Sequence, residues 1–146
     1  MIVLDTSVLV DALLPRLERR HEAALSLVQI LSEKEALIYG PRILLVELAC
    51  VLSRYKGAQL VQEMVSSIAG TINLIDEAVI FEEALSIAMR IHPRAVDAYF
   101  IAAAKLTNST LISNDRVMVE NARKEGVDAY FFIEEADVVL NKVRQL

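Results

Sequence analysis

Five short apolar runs alternate with helical segments along the chain, and this alternation constrains the fold more than any other feature of the 146 residues. The first run, residues 2–4, is continuously apolar, as is typical of a strand buried on both faces of a parallel sheet. The other predicted strands are residues 36–39, 71–75, 110–113 and 128–133. Parallel strands joined through helices need right-handed crossovers. The sequence therefore predicts an α/β fold, with a central parallel sheet of about five strands and helices on both faces.

Eight helical segments fill the intervals between and after these strands. They are predicted at residues 8–14, 17–31, 41–55, a segment ending near 68, 76–91, 96–106, 116–125 and 134–146. Pro41 is expected at the first position of the third helix, and Gly126 is expected to stop the seventh. No repeat, low-complexity segment or linker divides the chain, so residues 1–146 are predicted to form one domain.

The composition bears on location and assembly. No run approaches the roughly 18 apolar residues of a membrane helix, and the first acid, Asp5, follows without a basic leader. The single cysteine, Cys50, is interpreted as a small core residue, and it cannot form an internal disulfide. These features predict a cytoplasmic protein without a membrane segment. A hydrophobic fraction of 55% further predicts a homodimer, with apolar helix faces between residues 43 and 68 contributing to its interface.

The net charge of −5 argues against a protein that holds nucleic acid tightly at all times. If four of the acids gather around a metal, they account for −4 of the −5 and leave −1 for the remaining surface. Transient handling of a nucleic-acid substrate is compatible with that balance. The Arg16, Arg19 and Arg20 cluster is typical of a solvated face, but it would contact a phosphate backbone if its helix borders the cleft.

Two acids follow directly from predicted strands, and a third opens a buried helix. Asp5 ends the first strand and Asp115 follows the fourth, which is where open α/β sheets usually bind their ligands. Asp97 lies near the start of an alanine-rich helix whose composition predicts burial on several sides. For Asp5 or Asp97 taken alone, a helix cap is an equally good interpretation. Asp76, which also follows a strand, is predicted to be an N-cap, whereas Asp11 and Asp128 are predicted to be solvated.

Glu47 is the fourth candidate, because it interrupts an apolar helix. Its neighbours three and four positions away are all apolar: Ile43, Leu44, Cys50 and Val51. A glutamate in the middle of a buried face is costly unless it meets a cation or strong donors. The alternative is a structural pair with an internal Arg or Lys. Hard oxygen ligands in this number, without Cys or His clusters, suit Mg²⁺ or Mn²⁺ rather than zinc.

These residues carry a resemblance that covers nearly the whole chain. The sequence Asp5-Thr6-Ser7-Val8-Leu9, Glu47 on a helix, Asp97-Ala98 and the run ending Ser113-Asn114-Asp115 resemble the PIN-domain ribonucleases. The length and the lack of further domains are most similar to the toxin of prokaryotic VapBC toxin-antitoxin pairs. Many relatives place another acid just after the position of Asp115, where this chain has Arg116-Val117-Met118, so one or two metal ions both stay open.

The resemblance implies a function and a set of roles. It implies Mg²⁺- or Mn²⁺-dependent endonucleolytic cleavage of RNA at Asp5, Glu47, Asp97 and Asp115, commonly in a dimer. Thr6 and Asn114 would orient the acids or a metal-bound water. Glu47 would either bind the metal or orient the attacking water. A VapC-type toxin would also have an antitoxin whose peptide covers the cleft and offers an Arg or Lys to the acids.

Other interpretations use the same residues. A haloacid-dehalogenase-like phosphatase needs an acid two positions after Asp5, where Ser7 stands, and a response-regulator receiver needs an adjacent acidic pair near the first strand. Neither pattern is present. A free-standing RNA-processing nuclease and a non-catalytic PIN scaffold that binds a partner protein are the alternatives that stay open.

Overall fold

A five-stranded parallel sheet forms the centre of the computed structural model, which describes residues 1–146. Its strands, all short, are β1 (Ile2–Leu4), β2 (Ile38–Pro41), β3 (Asn73–Ile75), β4 (Thr110–Ser113) and β5 (Ala129–Phe131). Their order across the sheet is β3-β2-β1-β4-β5, and every neighbouring pair is parallel. The predicted α/β fold with about five parallel strands is confirmed.

The strand order places a ligand crevice beside β1. The chain builds the sheet outward on one side through β2 and β3, then crosses back to add β4 and β5 on the other side. Ligands of open α/β sheets bind at such a switch point, beyond the carboxyl ends of the strands. Leu4 is in register with Ile112, and the Asp5 backbone N–H donates to the Ile112 carbonyl at 3.0 Å. The residues that follow β1 and β4 therefore leave the sheet side by side.

Eight helices cover the sheet. They are α1 (Thr6–Leu13), α2 (Glu18–Glu33), α3 (Ile43–Leu52), α4 (Ala58–Thr71), α5 (Glu77–Ile91), α6 (Ala95–Leu106), α7 (Arg116–Lys124) and α8 (Phe132–Arg144). None of them is both long enough and apolar enough to cross a bilayer. Asp76 caps α5 as predicted, since its carboxylate accepts the Ala78 N–H at 2.9 Å.

Several predicted boundaries were wrong. Helix α4 continues to Thr71, which shortens the third strand to three residues. Pro41 is the last residue of β2 and does not open α3. The pairing with β3 continues past it, because the Arg42 backbone N–H donates to the Ile75 carbonyl at 3.0 Å. In contrast, Asp128 is exposed as predicted, although it also accepts a hydrogen bond from Thr110 Oγ1 at 2.6 Å and pairs with Lys142 at 3.1 Å.

The packing of α3 decides which way Glu47 faces. Leu44, Leu48 and Leu52 form the buried row of this helix and are each 0% exposed. A Cβ on Gly40 would meet Leu44 Cδ1 at 3.0 Å, so the glycine in β2 lets the helix lie close to the sheet. Cys50 lies away from the leucine row and is exposed, so its interpretation as a core residue was wrong. A sequence pattern that is apolar on all sides does not reveal which face is buried.

A partly exposed ion-pair network around Glu125 ties α6 to its neighbours. Glu125, just after α7, accepts Arg90 Nη2 of α5 at 2.6 Å and Lys105 Nζ of α6 at 3.0 Å. The Arg90 guanidinium, helped by Lys105, lowers the pKa of Glu125 to about 2. Three helices are thereby joined at the end of α6 opposite Asp97, which helps to fix the position of that helix.

We expect Leu48→Ala to destabilise the protein by about 2–5 kcal/mol, because it leaves a cavity beneath the helix that carries Glu47. Val46→Ala on the same helix is the control, since Val46 is 61% exposed and its truncation should change the unfolding free energy by less than about 0.5 kcal/mol. Urea unfolding of both variants measures the difference. Similar losses in the two variants would contradict this account of how α3 packs.

Candidate active site

A cavity of about 520 Å³ opens at the carboxyl edge of the sheet, beside β1 and β4. All four predicted acids line it, together with Thr6: Asp5 after β1, Glu47 on α3, Asp97 on α6 and Asp115 after β4. Four separate elements thus deliver carboxylates to one place. The strand pairing brings Asp5 and Asp115 there, and two helices packed on the sheet bring the others.

Asp5 is held by two serine hydroxyls. Ser7 Oγ and Ser113 Oγ both donate to Asp5 Oδ2, the latter at 2.7 Å. Burial raises the pKa of Asp5, and these hydrogen bonds oppose the rise because they favour the charged form. Neither serine was among the predicted site residues. Their spacing in the sequence could have indicated them, because Ser7 comes two residues after Asp5 and Ser113 two residues before Asp115.

Ser113 also connects Asp5 to the loop that carries Asp115. Its hydroxyl is fully buried and accepts the Asp115 backbone N–H at 2.9 Å while it donates to Asp5. One oxygen of Asp115, Oδ1, caps α7 by accepting the N–H groups of Val117 and Met118 at 2.9 and 3.2 Å. The other oxygen, Oδ2, takes no part in this cap and accepts a hydrogen bond from Arg94.

Glu47 lies on the flank of α3 and is half-buried, so its predicted place in the middle of a buried face was wrong. Thr6 Oγ1 donates to Glu47 Oε2 at 2.9 Å, and this bond orients the carboxyl group toward the other acids. Burial raises the pKa of Glu47, the Thr6 bond opposes that rise, and the charges of Asp5 and Asp97 add to it. Thr6, predicted to orient the acids, has the contact that this role needs.

Asp97 meets an arginine from its own helix end. Arg94, at the N-cap position of α6, donates from Nε to Asp97 Oδ2 at 3.0 Å and from Nη2 to Asp97 Oδ1 at 3.2 Å. The same Nη2 also donates to Asp115 Oδ2. Burial nevertheless raises the pKa of Asp97, because its desolvation outweighs the favourable Arg94 charge. Arg94 was not among the predicted site residues, although a positive residue three positions before a buried acid was visible in the sequence.

Asn114 lies outside this cavity. Its Nδ2 donates to Asp11 Oδ2 at 2.6 Å and to none of the four acids. Asp11 was wrongly predicted to be solvated, because it also pairs with Arg20 at 2.7 Å and its side chain is only 13% exposed. A role for Asn114 would therefore be indirect, through the placement of α1.

Two arginines form a basic wall on the same cavity. Arg16 and Arg20 line it, whereas Arg19 does not. The Arg16 guanidinium lies 4.7 Å from the ring centroid of Tyr55, a stacking contact that holds it near the opening. Arg20 lies in the first turn of α2 and Arg16 just before this helix, so the start of α2 borders the cleft.

The donor set suits a hard divalent cation. Carboxylate oxygens are the only strong ligands at the cavity, with no imidazole or thiolate among its lining residues. No three of these groups stand close enough together to hold one ion in this arrangement. A cation does already bridge Asp97 and Asp115, namely the Arg94 guanidinium. Mg²⁺ keeps several waters and is often held by only one or two carboxylates, so the residues present fit it.

Comparisons with known proteins agree with this architecture. The family model "PIN domain" matches residues 2–124. FitAcB from Neisseria gonorrhoeae has a TM-score of 0.61 at 23% identity, covering 89% of this chain and 96% of that chain. FitAB bound to an IR36 DNA fragment gives 0.65 at 22% identity over 89% and 94% of the two chains. PAE2754 from Pyrobaculum aerophilum gives 0.63 at 13% identity over 99% and 97%. No curated protein matches the chain.

We expect Glu47→Gln to stabilise the metal-free protein at pH 8. Because the folded-state pKa of Glu47 is raised above its ordinary value of 4.5, wild type loses stability as the pH rises through the raised pKa. The amide does not titrate and still accepts the Thr6 hydrogen bond. The two proteins should therefore melt at different temperatures at pH 8 and converge below pH 4.5.

Melting curves in excess chelator between pH 4 and pH 8 measure this effect. Glu63→Gln, an exposed change on α4, is the matched control and should follow wild type at every pH. A variant at Glu47 that is less stable than wild type at pH 8 would show that the carboxylate is held by stronger donors than the structure contains.

Proposed function

Since the chain belongs to the PIN domain family, we propose that it is a Mg²⁺- or Mn²⁺-dependent endoribonuclease of the VapC toxin type, which hydrolyses RNA phosphodiester bonds. One observation carries the proposal, which is the meeting of Asp5, Glu47, Asp97 and Asp115 in a single cavity. Like charges gathered at this density repel one another unless a cation neutralises them. A purely structural set of acids would gain nothing from that arrangement.

Asp97 and Asp115 are the residues best placed to bind the metal, with Asp5 and Glu47 beside them. Asp97 and Asp115 already share one cationic group, so a small cation can contact both. When bound, the ion lowers the pKa of a coordinated water and neutralises charge that grows on the phosphoryl oxygens.

Neighbouring hydroxyl groups hold two of the acids in position. Ser7 and Ser113 donate to Asp5, and Thr6 donates to Oε2 of Glu47, so Oε1 of Glu47 does not take part in that hydrogen bond. Burial raises the pKa of Glu47, which makes it a better proton acceptor than an exposed glutamate. Glu47 is therefore suited to orient an attacking water. Binding the metal directly is the other role that it could have.

The substrate is proposed to be flexible, single-stranded RNA. Arg16 and Arg20 on the cavity wall offer guanidinium groups to phosphates next to the cleaved bond. The overall charge of −5 works against a long basic surface that would hold a stiff duplex. A single strand can bend to bring one phosphate into the cavity.

An antitoxin is the proposed protein partner, and the cytoplasm is the proposed location. The likeness to VapBC toxins implies a partner peptide that offers an Arg or Lys to the acids. The contact of Arg94 with Asp97 and Asp115 supports this idea, because it demonstrates that a guanidinium fits between them. A neighbouring gene for a small DNA-binding protein would favour the toxin, and its absence would favour a free-standing RNA-processing nuclease.

Asp97→Asn is the sharpest test of the activity. It keeps the size of the side chain but removes the charge that a metal ligand needs, so RNA cleavage should fall by about 100-fold or more. The protein should stay folded, because the change also removes a buried charge. Cleavage of a mixed RNA pool with Mg²⁺ or Mn²⁺ measures the rate, with duplex DNA expected to stay largely intact.

Asp137→Asn, an exposed change on α8 outside the cavity, is the control and should cleave like wild type. Matched melting curves separate a lost site from lost folding. Cleavage that persists in folded Asp97→Asn, or in excess chelator, would point to a contaminating nuclease and favour the non-catalytic scaffold.

We also propose a homodimer, supported by apolar side chains on the surface. Phe81, Leu85 and Met89 recur every four residues on α5 and are 43–65% exposed, and Val46 and Leu60 are exposed on α3 and α4. Light scattering at micromolar concentration should give about twice the 16.2 kDa chain mass. Leu60→Glu on α4, within the predicted interface, should halve that mass, while Leu25→Glu on α2 should not. A monomeric wild type would rule the dimer out.

A further inference from the structure

Arg94 is the internal counter-ion of the cavity, and we propose that it competes with the divalent cation for Asp97 and Asp115. Metal binding then requires the guanidinium to leave, so Arg94 sets how tightly the site holds its metal. The inference depends on the metal site proposed above, and it concerns a residue that neither the motifs nor the family likeness singled out.

The contacts leave no free oxygen on these two carboxylates. Both oxygens of Asp97 and Oδ2 of Asp115 accept hydrogen bonds from Arg94. The remaining oxygen, Asp115 Oδ1, accepts the first N–H groups of α7. A metal ion that approached either carboxylate from the cavity would therefore meet a positive charge already in place, and the two cations would repel each other.

No other Lys or Arg takes this place. Arg94 is the only cationic side chain that forms a salt bridge with any of the four acids. Arg20 lines the same cavity but pairs with Asp11 instead. The competition therefore comes from one side chain, and removal of that side chain isolates its effect.

The guanidinium can leave without a change in the backbone. Its side chain is 68% exposed, whereas that of Asp97 is 4% exposed and fixed within α6. Solvent screens an exposed ion pair and keeps it weak, so a divalent cation can replace it. The acids would stay where they are while Arg94 turns outward.

The experiment is a Mn²⁺ titration of the full-length chain, followed by the electron paramagnetic resonance signal of free Mn²⁺. Arg94→Gln should bind Mn²⁺ about two- to fivefold more tightly than wild type, because no internal cation has to be displaced. Its melting temperature in chelator should fall, since the acids then repel one another without relief. Arg94→Lys keeps the charge but loses the planar fork, so its affinity should lie between the two.

Arg144→Gln, an exposed change on α8 outside the cavity, is the matched control and should leave the Mn²⁺ affinity unchanged. A merely structural role for Arg94 would lower the melting temperature without tightening Mn²⁺ binding, and that result would overturn the inference. Equal or weaker affinity in Arg94→Gln, with clear binding by wild type, would overturn it too and leave the metal nuclease standing. Absence of Mn²⁺ binding in wild type and every variant would overturn the metal site and the inference together.

Discussion

The pairing of β1 with β4 is the constraint on which the cavity depends. It places Leu4 in register with Ile112, so Asp5 lies next to Ser113. The Asp5 backbone N–H donates to the Ile112 carbonyl. Ser113 then donates to Asp5 and accepts from the Asp115 backbone with one hydroxyl. A shift of one residue in this register would turn Ser113 to the other face of the sheet and break both hydrogen bonds. The distance between the two strand-end acids is thus a property of the sheet rather than of the loops.

Burial of these carboxylates disfavours their charged forms, and neighbouring side chains offset part of that cost. Burial raises the pKa of Asp5, Glu47 and Asp97, which means that their charged forms are held against a cost. Hydroxyl groups of Ser7, Ser113 and Thr6 offset part of this cost for two of them. Arg94 offsets it for Asp97 and reaches Asp115 as well. These contacts offset part of the repulsion among the acids without any bound metal.

The acids and the basic side chains of the cavity differ in how they are held. The acids belong to a strand end, two helices and a helix cap, all packed on the hydrophobic core, which fixes the backbone that carries them. The more exposed components are basic side chains, with that of Arg94 68% exposed beside the acids and that of Arg20 34% exposed on the wall. Buried anions beside an exposed guanidinium suit the exchange of Arg94 for a divalent metal that we propose.

The sequence by itself determined the class of fold and the identity of the acids. Alternating strands and helices indicated the parallel sheet, and acids directly after β1 and β4 had to share its carboxyl edge. The position of Asp97 in the first turn of a buried helix was equally visible. These features depend on local patterns, which neighbouring residues in the chain are sufficient to set.

Only the tertiary structure decided how the acids are held. Thr6 meets Glu47 41 positions away, Ser113 meets Asp5 108 positions away, and Arg94 spans 21 positions to Asp115. Helix α3 is apolar nearly all round, so its sequence did not show that Glu47 lies on the flank and Cys50 faces solvent. Such contacts depend on helix rotation, strand register and side-chain rotamers acting together, and no local pattern specifies all three.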